Sequence, residues 1–336
     1  MPDIADIPLT LTMTGRPLLL YPGVADELSA RLQTAHNSRA ARLGDRARRM
    51  AAKAARRVGL TPNSSGAVSP SPNQIEMNTA LDQLSVPNRL AVLPSDDPEA
   101  PETYLAVIDI NGPLLNKAWI LMTDNGPILC MDGYDRIERA VRRAASDPQC
   151  RGILLAIDSP GGMVNGCFEC ADTIRALSET LPIMAHTDAM MASAAYAIGA
   201  ATSHISGTLS AMIGSVGVIY GRVDQTAQLE QDGVRIDFIT SGSEKSWGHP
   251  FTQMGEDEQA RLVAEINQLA DLFADRVALT RPLDRAGVRA LNAGTWMTGT
   301  AIENGLADTL ENQAAALARL SALATAPPAP ALAGPK

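Results

Sequence analysis

Aromatic residues and cysteines are scarce in this chain. Aromatic side chains make up 4% of its 336 residues, and it contains four cysteines. The core must therefore be built mainly from aliphatic and small residues, and a disulfide framework is excluded as the basis of the fold. Cys167 and Cys170 form a Cys-x-x-Cys pair, which we interpret as two small helix-packing residues. The alternative is a redox pair or part of a metal site, although a zinc site needs two more ligands and none lies nearby in the sequence.

Long apolar runs are also lacking. No stretch of about 18 apolar residues is present, so we expect no membrane span. The first residues lack the basic start and apolar run of a secretory signal, which favours a soluble protein. A Walker motif, a phosphate-binding glycine loop and a metal-ligand cluster are all missing from the sequence. We therefore expect no cofactor, neither ATP nor a metal.

The acidic net charge excludes a protein that is basic over its whole surface. The formal charge is −9, yet residues 31–57 contain nine Lys or Arg and one acidic residue, Asp45. The surrounding segment, residues 24–58, is rich in Ala, Leu and Arg and predicts one or two helices with a basic face. The face is either simply solvated or binds nucleic acid or an acidic partner weakly.

Composition and periodicity divide the chain into three parts. We predict an N-terminal extension over 1–100 with basic helices and linkers, a main domain over 101–321, and a disordered Ala/Pro-rich tail over 322–336. Within the main domain, apolar strands alternate with helical patterns, which predicts an α/β fold with a mostly parallel sheet. The predicted strands are 104–110, 153–157, 183–185, 204–206 and 216–219. The predicted helices are 134–145, 168–177, a short one beginning at Ser193, and 256–279.

Three segments of the main domain carry possible chemistry. Ser193 lies in a run of small residues, Met191-Ala-Ser-Ala-Ala-Tyr-Ala-Ile-Gly-Ala200, which predicts the first turns of a buried helix. An apolar strand runs into the turn Ser159-Pro-Gly-Gly162, and Lys245 follows later in a glycine- and serine-rich segment. Together they suggest a serine nucleophile with a lysine base.

The two groups need particular surroundings to act. A lysine base has to be neutral, so burial has to lower its pKa from about 10.4 towards roughly 7–8. Developing negative charge on the substrate oxygen has to be stabilised by backbone N–H groups. We predict that Ala194 and the turn Gly161–Gly162 form this oxyanion hole, because glycine lets a substrate approach the backbone closely. A histidine base remains an alternative, since His186, His204 and His249 all lie in the same region.

The motifs, in this order, resemble the S49 peptidases, the signal peptide peptidase A family, and most of all the phage head maturation or capsid assembly branch. The resemblance covers roughly residues 104–310. It depends on Ser159-Pro-Gly-Gly162, Ala192-Ser-Ala-Ala-Tyr196, Gly214-Ser-Val-Gly-Val-Ile219, the Lys245 segment and Gly305-Leu-Ala-Asp308, and the opening Arg16-Pro-Leu-Leu-Leu-Tyr-Pro22 is similar to the phage branch.

This resemblance implies a ClpP/crotonase-like fold with repeated ββα units and a Ser193–Lys245 dyad. It also implies that Ser215 hydrogen-bonds the lysine amine. The expected protein is a homo-oligomeric serine endopeptidase of the host cytoplasm or the phage procapsid, and its expected substrates are scaffold, portal or other head proteins, including itself. Two alternatives stay open: a crotonase-like acyl-CoA enzyme, and a catalytically inactive capsid-associated binding protein.

Overall fold

The structure is a computed structural model that describes residues 18–20, 72–93, 102–123 and 126–325. The basic run at 31–57 and residues 326–336 lie outside the described residues. The chain divides into two compact units. In its described part, the first unit consists of residues 72–76 and 221–259, and the second contains the remaining described residues.

The strands are numbered in chain order. They are β1 (Leu18–Leu20), β2 (Asn88–Leu93), β3 (Thr103–Asn111), β4 (Trp119–Thr123), β5 (Gly126–Met131), β6 (Cys150–Asp158), β7 (Gly161–Met163), β8 (Ile183–Thr187), β9 (Met190–Ala192), β10 (His204–Gly207), β11 (Met212–Gly214), β12 (Thr295–Met297) and β13 (Thr309–Leu310). The α-helices are α1 (Pro72–Leu84), α2 (Tyr134–Ser146), α3 (Cys167–Ser178), α4 (Ala194–Ala200), α5 (Thr226–Gln231), α6 (Glu256–Ala278), α7 (Arg285–Ala290), α8 (Thr298–Glu303) and α9 (Gln313–Thr325).

A six-stranded sheet in the order β13-β10-β8-β6-β3-β2 forms the centre of the second unit. Five of its strands run parallel, and β2 at one edge pairs antiparallel with β3. Helices connect the parallel strands, as parallel pairing requires. The predicted α/β class with a mostly parallel sheet is therefore confirmed.

Both faces of this sheet are buried, which explains the continuous apolar runs of its central strands. Leu105 and Val107 of β3 pack with Leu320 of α9 on one face. The alternate residues Ala106 and Ile108 pack in the larger cluster that contains α2, α3 and α4 on the other face. The two-residue period of the strand thus divides its side chains between two helical layers.

Four features of the fold differ from the sequence-based prediction or were not foreseen. The strand expected at 216–219 lies earlier, at Met212–Gly214, because Ser215 adopts a positive φ of 55° that ends the extended segment. Strand β2 extends the main sheet to the N-terminal side of the predicted boundary at residue 101. Helix α9 continues to Thr325, beyond residue 322. The antiparallel pair β4–β5 was not foreseen.

The motif Gly305-Leu-Ala-Asp308 connects distant parts of the second unit. The Tyr196 hydroxyl in α4 donates to the Leu306 carbonyl at 2.9 Å. Asp308 accepts two hydrogen bonds from Arg281, both at 2.8 Å, and one from the Ile205 amide at 2.7 Å. Burial alone would raise the pKa of Asp308, but these hydrogen bonds and the Arg281 charge together hold it below its ordinary value. The motif therefore ties α4 and β10 to the end of the domain.

We expect Asp308→Asn to lower the free energy of unfolding by about 2 kcal/mol near neutral pH, because the buried Arg281 loses its charged partner. A carboxyl whose pKa is depressed in the folded state stabilises above its unfolded pKa and loses that contribution as pH falls through the folded value. The difference between wild type and variant should therefore shrink in acid. Urea unfolding at several pH values measures this difference.

The matched control is Asp275→Asn, which removes the exposed pair with Arg285 and should lower the free energy of unfolding by under about 0.5 kcal/mol. Equal losses in both variants would contradict the assignment.

Candidate active site

Ser193 lies on a sharp turn between a strand and a helix. Strand β9 ends at Ala192 and α4 begins at Ala194, so Ser193 is the single residue between them. Its φ of 54° and ψ of −121° are unusual for a residue with a side chain and cost about 1–3 kcal/mol. Such strained strand-to-helix turns present the nucleophile in a large class of serine hydrolases.

The Ser193 backbone is held by the segment that follows β11. The Ser193 amide donates to the Gly214 carbonyl at 2.8 Å, and the next residue, Ser215, donates from its own amide to Gly294 at 2.6 Å. Both Gly214 and Ser215 have positive φ. Ser215, which was predicted to bond the lysine amine, therefore directly follows Gly214, whose carbonyl accepts from the Ser193 amide.

The Ser193 hydroxyl is buried and has no hydrogen-bond partner among the described residues. The whole residue is 1% exposed. A buried polar atom without a partner is uncommon, since it loses its hydration without compensation. An unpaired hydroxyl on a strained turn is consistent with a group kept for chemistry rather than for packing.

The glycine turn lies beside Ser193 because the end of β6 pairs with β9. The Ser159 amide donates to Met190 at 2.8 Å, and the Ala192 amide donates to the Ser159 carbonyl at 3.1 Å. A Cβ atom on Gly162 would lie 1.9 Å from the Leu114 carbonyl oxygen, so only glycine fits there. The turn and Ser193 are therefore fixed relative to each other by backbone hydrogen bonds.

The amides of the two predicted oxyanion glycines are placed differently. The Gly161 amide donates to Ser159 Oγ at 3.2 Å. The Gly162 amide is directed away from the Leu114 side, because Leu114 bonds only the Gly161 carbonyl and the Met163 amide. Ala194 is the first residue of α4, and helix geometry leaves its amide without an intrahelical acceptor.

Ser159 emerges as a positioning residue that the sequence analysis did not single out. Its hydroxyl donates to the Gly112 carbonyl at 2.7 Å and accepts from the Gly161 amide, while its backbone pairs with β9. Its place within the quoted turn motif was the available signal. Ser159 thus links the glycine turn to the strand that leads into Ser193.

We expect Ser159→Ala to lower kcat of a reaction at Ser193 about tenfold, because the glycine turn is no longer held in register with Ser193. The free energy of unfolding should fall by about 1–3 kcal/mol, since the buried Gly161 amide and the part-buried Gly112 carbonyl lose their partner. Ser85→Ala is the matched control: its buried hydroxyl bonds Leu81 at the end of α1, away from the turn. It should lose stability but keep kcat. A similar kcat in both variants, measured below their melting temperatures, would argue against the positioning role.

Cys167 and Cys170 both lie in α3, where their side chains are buried, and both are free thiols. Cys167 Sγ lies 3.6 Å from the Ala194 carbonyl, and burial raises its pKa to about 12. Both side chains are inaccessible, which favours packing over redox chemistry. Within the described ranges, no group of three or more His, Cys, Asp or Glu is arranged to hold a metal ion.

Lys245 lies in the first compact unit, separate from the unit of Ser193. It is exposed and occupies a short 3₁₀ helix, Ser243–Ser246. The following segment is anchored by two nearly buried side chains: Glu258 accepts from the Gly248 amide at 2.7 Å, and Arg222 donates to the His249 carbonyl at 2.8 Å. Lys245 is thus exposed, not buried as the sequence analysis required of a neutral lysine base, and its pairing with Ser193 remains a proposal.

The histidines differ in what they bond. His186 contacts Ser206 Oγ through Nδ1 at 2.8 Å and Asp188 through Nε2 at 2.9 Å. Ser206, His186 and Asp188 resemble a catalytic triad in composition, but Ser206 is fully buried within strand β10 and its hydroxyl already has a partner in His186. His204 bonds Thr309. His249 is different, because its Nδ1 has no partner in the described part of the chain and its ring packs between Phe238 and Phe251.

Comparison with known proteins confirms the predicted family resemblance. Residues 175–326 match the model of peptidase family S49. The matched region contains Ser193, Ser215 and Lys245 and begins after the glycine turn. The strand–serine–helix geometry around Ser193 agrees with this match, which covers residues 175–326 of the chain.

The similar proteins include phage and cellular members. The chain is 34% identical to capsid assembly protease C of Escherichia phage lambda over 245 residues, which cover 70% of this chain and 55% of that protein. It is 34% identical to head-tail preconnector protein GP5 of Enterobacteria phage P21 over 222 residues, covering 66% and 43% of the two chains. A putative signal peptide peptidase SppA of Enterococcus faecium is 30% identical over 173 residues, covering 50% and 49%. The chain spans about half the length of these relatives.

Of the helices that the structure describes, none is both long and apolar enough to cross a membrane.

Proposed function

We propose that this protein is a serine endopeptidase that cleaves head proteins of a phage or prophage during capsid maturation. The observation that carries the proposal is Ser193: an unpaired, buried hydroxyl on a strained strand-to-helix turn beside a glycine turn. The match to peptidase family S49 and the similarity to a capsid assembly protease support the substrate class.

In the proposed mechanism, Ser193 Oγ attacks the carbonyl carbon of the scissile peptide bond while Lys245 Nζ takes its proton. The Gly162 and Ala194 amides donate to the resulting oxyanion. Lys245 then returns the proton to the leaving amine, and an ester forms on Ser193. Water, deprotonated by Lys245, hydrolyses this ester and releases the enzyme. Ser215 holds the lysine amine in place.

The setting of the reaction is part of the same proposal. We infer a homo-oligomer that acts in the host cytoplasm or inside the procapsid on scaffold, portal or other head proteins. The basic run at 31–57 is proposed to bind nucleic acid or an acidic partner weakly, with an affinity that falls as salt rises.

Co-expression with candidate scaffold and portal proteins tests the proposed function. We expect mass spectrometry to find specific fragments with the wild-type chain and none with Ser193→Ala. Identical fragments with both chains would overturn the proposal. Binding to coenzyme A without labelling by a fluorophosphonate would instead favour an acyl-CoA enzyme.

A further inference from the structure

The short strand β1 lies against the strand that contains the oxyanion glycine. It pairs antiparallel with β7, and the register places Leu18 opposite Met163, Leu19 opposite Gly162 and Leu20 opposite Gly161. The two strands form a small sheet of their own. Strand β7 contains both glycines of the turn and packs against α4, the helix that begins after Ser193.

The direction of the backbone groups follows from the neighbour on the other side of β7. Leu114 bonds the Gly161 carbonyl and the Met163 amide, both at 2.9 Å. Because successive residues of a strand point their N–H and C=O groups to opposite sides, the N–H and C=O of Gly162 point towards β1. In the antiparallel register, Leu19 is then the residue whose carbonyl and amide face those of Gly162.

A protein substrate would need this same edge. Adding a peptide as an extended strand to an exposed sheet edge is a general mode of peptide recognition. A substrate strand pairing with β7 would place a carbonyl on the Gly162 amide, which is the oxyanion donor proposed above. In the structure, the carbonyl that faces this amide belongs to Leu19.

We propose that Leu18–Leu20 is an internal occupant of the substrate-binding edge, so that the chain blocks its own active site until the segment is displaced. The inference rests on the proposed peptidase function. A segment of the same chain competes at an effective concentration set by its connection to the rest of the molecule, without having to be added. A pairing of three residues is nevertheless weak by itself, so a longer substrate strand can replace it. The block is therefore competitive and reversible.

Two proline substitutions separate this role from a purely structural one. Leu19→Pro removes the amide that faces the Gly162 carbonyl and so weakens the pairing. Leu20→Pro is the matched control, because the amide of Leu20 points away from β7 and edge strands accept proline at such positions. Melting temperature and circular dichroism check that both variants fold alike.

Hydrogen exchange read by mass spectrometry tests occupancy without any need for catalysis. In a Ser193→Ala background, we expect Leu19→Pro to speed exchange at Gly162 at least about tenfold relative to Leu20→Pro. Equal exchange at Gly162 in the two variants would overturn the inference.

Cleavage of fluorescein-labelled casein by the full chain with Ser193 intact tests the consequence. We expect Leu19→Pro to lower KM about tenfold with kcat unchanged, and Leu20→Pro to stay within twofold of wild type. Faster exchange at Gly162 without any Ser193-dependent cleavage would refute the peptidase function while supporting the occupancy. Cleavage with the same KM in all three chains would support the peptidase and refute the occupancy.

Discussion

Ser193→Ala is expected to abolish peptide hydrolysis, with a loss in kcat of about 10³ or more, because no other group can form the ester. Labelling by a fluorophosphonate should disappear in the same variant. The substitution should not unfold the protein. Since the hydroxyl has no partner among the described residues, its removal relieves a buried unpaired group and should raise the free energy of unfolding by about 1 kcal/mol.

This combination of lost activity and retained or higher stability is the expected sign of a group kept for function at a cost in stability. Ser210→Ala is the control, because Ser210 is exposed and lies on a loop of the same unit. It should keep both activity and labelling. Appreciable hydrolysis by Ser193→Ala would remove Ser193 from the mechanism.

Lys245→Ala is expected to lower kcat about as much as Ser193→Ala, because the serine then lacks a proton acceptor. The double variant should be no worse than either single one, since the two residues would act as a unit. Lys245→Arg provides the sharpest comparison: it keeps the positive charge but cannot lose a proton, so it should be equally inactive. The rates are measured with a labelled protein substrate over a range of pH.

The histidine alternative is tested in the same experiment. His249 is the rival base to test first, because its Nδ1 lacks a partner in the described residues and it lies four residues after Lys245. We expect His249→Ala to retain activity within a few fold. Strong activity in Lys245→Ala combined with inactivity in His249→Ala would transfer the role of base to His249.

The local sequence pattern determined the layered architecture. Residues of β3 alternate between two apolar clusters, and the helices α2 and α3 begin and end within a residue or two of their predicted bounds. These features depend on neighbours in the chain, because burial on a strand or helix face repeats with a short period. The small-residue run around Ser193 is equally local, and it indicated Ser193 as the candidate nucleophile before any geometry was known.

The details of the site depended on segments far apart in the chain. The strain at Ser193 is maintained by a hydrogen bond to Gly214, and Gly161 is held by Ser159. The sequence pattern also misplaced β11, because the positive φ of Ser215 is stabilised by Gly294, and no local periodicity encodes that contact.

What the sequence by itself determined is the alternation of strands and helices, the family resemblance and the identity of the candidate nucleophile. Only the tertiary structure decided which glycine amide points away from Leu114, which serine bonds the turn, and that Leu18–Leu20 pairs with Gly161–Met163. The physical reason is that buried positions recur at short, regular intervals along a strand or helix, so the local sequence shows them. Backbone hydrogen bonds between distant segments are set by how those segments pack, and the catalytic geometry depends on those bonds.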